Sequence, residues 1–135
     1  MTPSPTVWPA FRYDDAPAAI RFLVDVLGFD QSLVVPGDAT RAVAHAELRW
    51  PPGGGVMLGS TGGPADAVHD TMKPGTGAAY LVATDAAAVD ALHARAATSG
   101  ADITAGLHDT DYGSHTFSLR DPEGNSWTIG TYRGA

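Results

Sequence analysis

An α+β fold made of two tandem β-α-β-β-β modules is predicted by three features of this 135-residue chain. The stretch from Val7 to Phe29, VWPAFRYDDAPAAIRFLVDVLGF, reads as strand, Asp-led turn and helix. It returns about 70 residues later as AAYLVATDAAAVDALHARAATSGA, from Ala78 to Ala101, so that Asp15 aligns with Asp85, Phe22 with Leu92, and Gly28-Phe29-Asp30 with Gly100-Ala101-Asp102. The ends of the two units also match: Val56-Met57-Leu58-Gly59-Ser60 falls on Trp127-Thr128-Ile129-Gly130-Thr131, and at that offset Ala46 and Leu48 fall on Phe117 and Leu119. A repeat of this length is an architectural signal. Each half is too small to bury a good core alone, so the halves are expected to pack together. The result is a single domain, 1–135, with module one at 7–60, a linker or flap at 61–76 and module two at 77–132.

The elements follow in order. Residues 1–6 are Pro-rich and loose. Val7 to Tyr13 alternates as a strand should. Asp15 can cap a helix and Pro17 suits its first turn, where no intrahelical N–H is required. Ala19, Ile20, Leu23, Val24 and Leu27 fall near helical spacing, and Gly28 is placed to end the helix. Phe29 to Val35 is the second strand, closed by Pro36-Gly37-Asp38. Arg41 to Trp50 is the third, Pro51 to Gly55 a reversal, and Val56 to Ser60 the fourth. The second module repeats the plan: a strand at 77–84, a helix capped by Asp85 and ended by Gly100, then strands at 102–107, 114–120 and 125–132. Asp121-Pro122-Glu123-Gly124 is a tight turn with Pro at its second position and Gly at its fourth.

Composition narrows the function classes. With no cysteine there is neither a disulfide framework nor a thiolate site or nucleophile. No apolar run approaches the roughly 18 residues a membrane span needs, and the start MTPSPTV lacks the basic and apolar regions of a signal peptide. A cytoplasmic protein is expected. The net charge of −7 disfavours nucleic acid and suits a cationic ligand, although acidity also simply serves solubility. There is no nucleophile elbow and no phosphate loop. Gly53 to Gly55 is followed by no helix, so it is read as a turn.

The tandem plan, Asp15 followed by AAIRF and VLGF, HAEL at 45–48 before GGGVML, and above all LRDPEGNSW at 119–127 together resemble the vicinal oxygen chelate superfamily. That superfamily includes glyoxalase I, extradiol dioxygenases and bleomycin-resistance proteins, and the resemblance, covering Val7 to Tyr132, is greatest to the bleomycin-resistance-like branch. It implies a concave, half-barrel-like sheet around a cavity, usually in a homodimer, with modules exchanged between subunits in some members. Metal-dependent relatives place a His seven residues before the helix-leading Asp and a Glu four residues after the Gly of the DPxGN turn. Those positions here, with their repeat equivalents, are Trp8, Ala78, Thr128 and Met57. None supplies an imidazole or carboxylate, so neither the family's metal nor any other cofactor is expected.

Strand alternation then selects the side chains that face the cavity: Trp8, Arg12, His45, Glu47 and Met57 from module one, and Tyr80, Thr116, Ser118 and Thr128 from module two. Aromatic walls, a thioether and a few polar groups suit a planar organic ligand, with Glu47 available to a cationic group. Packing roles stand beside this reading: Trp8 at a dimer contact, Met57 and Tyr80 as core, and His45 and Glu47 paired with each other or with Arg49. Trp127 and Trp50 are read as packing residues, and His93 as exposed. The function expected is metal-free binding of a small aromatic or cationic natural product, by resemblance an antibiotic of bleomycin or related peptide type, in resistance or self-immunity, with no catalytic residue assigned. The alternatives are a lyase, isomerase or dioxygenase of the glyoxalase type, with a non-standard metal site at His45 and Glu47, and a biosynthetic or carrier protein for such a compound. His69 and Asp70 lie on the flap and could close over a ligand or stay solvated.

Overall fold

The computed structural model describes residues 4–63 and 72–135. Module one comprises β1 (Ala10–Tyr13), α1 (Ala16–Asp25), β2 (Asp30–Asp38), β3 (Arg41–Arg49) and β4 (Gly55–Ser60). Module two comprises β5 (Ala78–Val82), α2 (Ala86–Thr98), β6 (Asp102–Asp109), β7 (His115–Arg120) and β8 (Ser126–Gly130). Each module is a four-stranded mixed sheet, in the orders β1-β4-β3-β2 and β5-β8-β7-β6, and the sheets do not close into a barrel. The first strand of each module runs parallel to the last, and the remaining pairs are antiparallel. The α+β class and the two β-α-β-β-β modules are therefore as the repeat predicts. His69 and Asp70, with half of the flap (64–71), lie outside the described residues.

Local chemistry fixes both helices. The Asp15 carboxylate accepts from the Ala18 N–H at 3.1 Å, and Asp85 accepts from Ala88 N–H at 2.8 Å. Each thereby satisfies one of the orphan donors at a helix start. Past the helix ends, Gly28 and Gly100 take φ of +83° and +75°, a conformation that only glycine adopts without strain. α1 buries Ala16, Ala19, Ile20 and Leu23, and α2 buries Val89, Leu92 and Ala96.

Three boundaries differ from the sequence reading. β1 begins at Ala10 rather than Val7. Pro9 has no N–H to give a ladder, yet its carbonyl accepts from Met57 N–H at 2.9 Å, so Trp8 and Pro9 still follow β4. β2 continues through Pro36-Gly37 to Asp38, with register shifts at Gln31/Leu33 and Val35/Pro36. It is an edge strand, where a missing donor and a bulge are tolerated. β6 likewise runs past Leu107 to Asp109 as an irregular edge. His93 is also not exposed as expected: its ring meets Phe117 edge-on at 5.2 Å.

The modules meet through their helix-side faces. Trp127, wholly buried, lies 5.3 Å from Phe11 and 5.9 Å from Phe29, and Phe29 lies 5.2 Å from Trp50. Burying side chains of this size is worth about 2–3 kcal/mol each. The net value of a hydrogen bond is about 1 kcal/mol, so the rings supply most of the cohesion and the polar contacts set the docking angle. Those contacts are specific. Trp50 Nε1 donates to Val82 O at 2.8 Å, and Glu123 accepts from the Asp14 and Asp15 N–H groups at 2.7 and 2.8 Å. Tyr13 donates its hydroxyl to Asp121 at 2.6 Å. Asp121, the first residue of the tight turn, also accepts from Trp127 Nε1, the Asn125 amide and the backbone of Glu123 and Asn125. Burial first, and the Asp121 carboxylate second, raise the Tyr13 phenol far above its ordinary pKa.

Candidate functional site

The face of module one that does not pack on α1 is an ordered grid. The β1–β4 register pairs Ala10 with Met57 and Arg12 with Gly59, and the β3–β4 register pairs Met57 with Glu47 and Gly55 with Arg49. Two glycines of β4 form the floor. A Cβ at Gly55 would lie 2.7 Å from Trp8 Cζ3, and one at Gly59 would collide with the Arg12 guanidinium. The long side chains of Trp8 and Arg12 can therefore lie down across β4, with Ala10 and Met57 between them. Arg49 closes the Trp8 end, its guanidinium 5.6 Å from the indole centroid, a cation–π arrangement.

At the other end, His45 Nε2 and Glu47 Oε2 are 2.8 Å apart, both part-exposed. They stand two apart on one strand, so they share a face. β2 adds Leu33 opposite Glu47 and Val35 opposite His45, both exposed. Between Ala10, Arg12, His45 and Met57 lies a recess of about 70 Å³. That is well below the roughly 300 Å³ at which pockets begin to enclose an organic ligand. One face of one module thus offers a shallow platform.

Module two repeats the device with different chemistry. Tyr80 pairs with Thr128 and lies over Gly130, where a Cβ would be 2.5 Å from its hydroxyl. That hydroxyl donates to Tyr132 O at 2.8 Å and is 3.2 Å from Ser114 Oγ. Ser118 and Thr128 hydroxyls are bonded at 2.7 Å, and Thr116, buried, donates to Ile129 O. These polar groups are largely engaged with one another. Trp8, Arg12, His45, Glu47 and Met57 come together on the first face, and Tyr80, Thr116, Ser118 and Thr128 on the second. The recess beside Met57 touches the first set alone.

At the positions where metal-dependent relatives keep their ligands stand the indole of Trp8, the thioether of Met57, the methyl of Ala78 and the hydroxyl of Thr128. This donor set does not fit a divalent cation, which needs imidazole or carboxylate ligands in this geometry. His45 and Glu47 are a two-ligand fragment, and among the described residues no third His, Asp, Glu or Cys completes a cluster. His115 is held by Asp90 of α2 at Nε2 (2.7 Å) and Asp109 at Nδ1 (2.6 Å). The hydrogen bond to Asp90, then that to Asp109, raises its pKa.

A family model described as the glyoxalase/bleomycin resistance protein/dioxygenase superfamily matches residues 7–129. The chain belongs to this superfamily. Among solved structures of the superfamily's fold, TioX from Micromonospora sp. ML1 is 29% identical, with a TM-score of 0.73, covering 92% of this chain and 97% of that one. A lactoylglutathione lyase from Agrobacterium tumefaciens is 26% identical, with a TM-score of 0.71, covering 95% and 93%. TnmS3, an antibiotic binding protein from Streptomyces sp. CB03234, is 25% identical, with a TM-score of 0.68, covering 96% of each chain. No curated protein matches the chain. Among the described residues no helix is long and apolar enough to cross a membrane.

Sequence reasoning missed Gly55, Gly59 and Gly130, the residues that make room for Trp8, Arg12 and Tyr80. Their signal was available: a glycine inside a strand marks close approach by another group.

Proposed function

We propose that this superfamily member is a metal-free binding protein that sequesters a small aromatic or cationic natural product, an antibiotic of bleomycin or related peptide type. The observation that carries this reading is the Trp8 indole laid over Gly55 where a ligating His would stand. An indole at that address offers a stacking surface and no lone pair for a cation. Glu47, on the same face and paired with Met57, supplies a carboxylate for a positive group on the ligand, in exchange for its bond to His45. The likeness to the antibiotic binding protein TnmS3 supports the ligand class.

A recess of about 70 Å³ is too shallow to bury such a compound. On the neighbouring strand β2, opposite Glu47 and His45, the apolar side chains Leu33 and Val35 are exposed. Both points favour a homodimer in which a second copy covers this platform and completes the cavity, bringing in groups such as Tyr80 and Thr128.

Titration with metal-free bleomycin, followed by tryptophan emission, tests the reading. Trp8→Ala should weaken binding about tenfold, as expected for loss of one stacking partner and its buried area. Equal binding by wild type and variant would assign Trp8 to packing alone. A second reading, a metal-dependent enzyme of the glyoxalase type, draws on the His45–Glu47 pair and the likeness to a lactoylglutathione lyase. Elemental analysis decides between them. A stoichiometric divalent metal that vanishes in both His45→Ala and Glu47→Ala would overturn the metal-free reading.

A further inference from the structure

We propose a second ligand site, in the seam between the two modules, and that it takes a flat aromatic carboxylate. The seam holds a cleft of about 410 Å³. That is nearly six times the recess beside Met57 and within the range of pockets that enclose small organic molecules. Phe29, Trp50 and Val56 line it from module one, and Leu81 and Val82 from module two. These are core side chains whose edges reach the surface only where the modules part. The Phe29 and Trp50 rings stand 5.2 Å apart and tilted by 47° and are buried, so a guest would meet their edges in an otherwise apolar wall.

The polar groups of the cleft select the guest's charge. Trp50 Nε1 is committed to Val82 O, and the Tyr80 hydroxyl, also in the lining, to Tyr132 O. Among the described residues Arg133 is the one charged residue of this lining, and no carboxylate accompanies it. Its guanidinium makes one 3.3 Å contact to Thr84 O, which leaves most of its five donors for an anion. In a chain of net charge −7, a cleft lined by a lone cation is a local inversion of sign. A guanidinium binds a carboxylate through two parallel hydrogen bonds, which fixes the guest's orientation as well as its charge.

The remaining wall is the Pro-Gly-Gly-Gly turn at 52–55. A side chain built at Gly53 or Gly54 would meet nothing within 4 Å, and both residues have positive φ. The turn is closed by hydrogen bonds from Gly53 N–H to Trp50 O at 2.9 Å and from Trp50 N–H to Gly54 O at 3.0 Å, so this wall holds its shape while its outer side stays open to a guest. A guest in the cleft touches both modules and so stabilises their docking by mass action.

The test uses 2-naphthoate and its uncharged counterpart 2-naphthamide, titrated by calorimetry and by amide and indole NMR. Naphthoate should bind with a raised melting temperature and should move the Trp50 indole N–H resonance. Naphthamide and the Arg133→Gln variant should each bind about tenfold more weakly, as for loss of a charge-assisted hydrogen bond, and Arg133→Lys should fall between. Arg133 is exposed, so its variants test charge rather than folding. Equal affinity for acid and amide, or an unchanged Arg133→Gln variant, would overturn the assignment. So would a resonance change confined to Trp8, which would place the guest on the open face.

Discussion

Replacing Tyr13 by Phe removes one oxygen and leaves the ring, so it tests the inter-module contact with little change of packing. Tyr13 is wholly buried, and its hydroxyl donates at 2.6 Å to a carboxylate that is itself buried. A hydrogen bond to a charged group contributes about 1.5–3 kcal/mol. Asp121 keeps four other donors in the variant, so the carboxylate is weakened in its bonding but not abandoned. A loss of about 2 kcal/mol is expected, which at this chain length lowers Tm by roughly 7 °C. Asp121→Ala should cost more, about 4 kcal/mol, because it strands the Tyr13 hydroxyl and the Trp127 indole N–H together. There is also a pH signature. The folded phenol has its pKa raised, so its contribution is complete below the unfolded value of about 10 and declines as pH rises beyond it. Thermal and urea unfolding, followed by circular dichroism and tryptophan emission between pH 7 and 11, measure both effects. If Tyr13→Phe melts within about 1 °C of the parent and loses stability equally steeply above pH 10, the hydroxyl does not hold the modules and the reasoning fails.

Gly55→Ala should destabilise by about 1–3 kcal/mol, the usual range for overpacking. Its new Cβ would lie 2.5 Å from Leu48 O as well as against the Trp8 ring, so displaced Trp8 emission should accompany the loss. His115, clasped by Asp90 and Asp109, has its pKa raised; its stabilising contribution is therefore full below about pH 6.5 and is lost as pH rises through the higher folded value. The imidazole proton resonance of His115 should accordingly titrate above the ordinary range in the wild type and return toward it in Asp90→Asn. A midpoint unmoved by that substitution would show that the clasp is absent in solution.

The features legible in the sequence are those whose cause is local. Asp15 and Asp85 cap helices because each precedes an apolar-periodic run, and Gly28, Gly100 and Gly124 sit at the turns that require positive φ. The helix-side parity of Phe11 and Tyr13 follows from strand alternation once β1 is located, and both are buried. What escaped depended on partners far along the chain. Nothing near Asp121 announces that Tyr13, 108 residues away, donates to it. His93 looked solvated among alanines because Phe117, the ring it meets, lies on a different element. The extension of β2 through Pro36 was hidden because a proline ends a central strand but not an edge strand, and edge status is a property of the sheet. At the site, the grid of Trp8, Arg12, Met57, His45 and Glu47 was readable from alternation. The glycine floor beneath it needed the register between strands.

The parallel pairing of β1 with β4, and of β5 with β8, has a further consequence. Each module starts and finishes on adjacent strands, so among the described residues its strand ladders are completed within itself and no strand is lent to its neighbour. What passes between the modules is side chain: rings, the Trp50 indole N–H to Val82 O, the Tyr13 phenol to Asp121, the Glu123 carboxylate to the N–H groups of Asp14 and Asp15, and the Arg95 guanidinium to Asp25 O. Two separately synthesised halves would carry the same complementary surfaces, and the molecule is in this sense a dimer of unlike subunits written into one polypeptide.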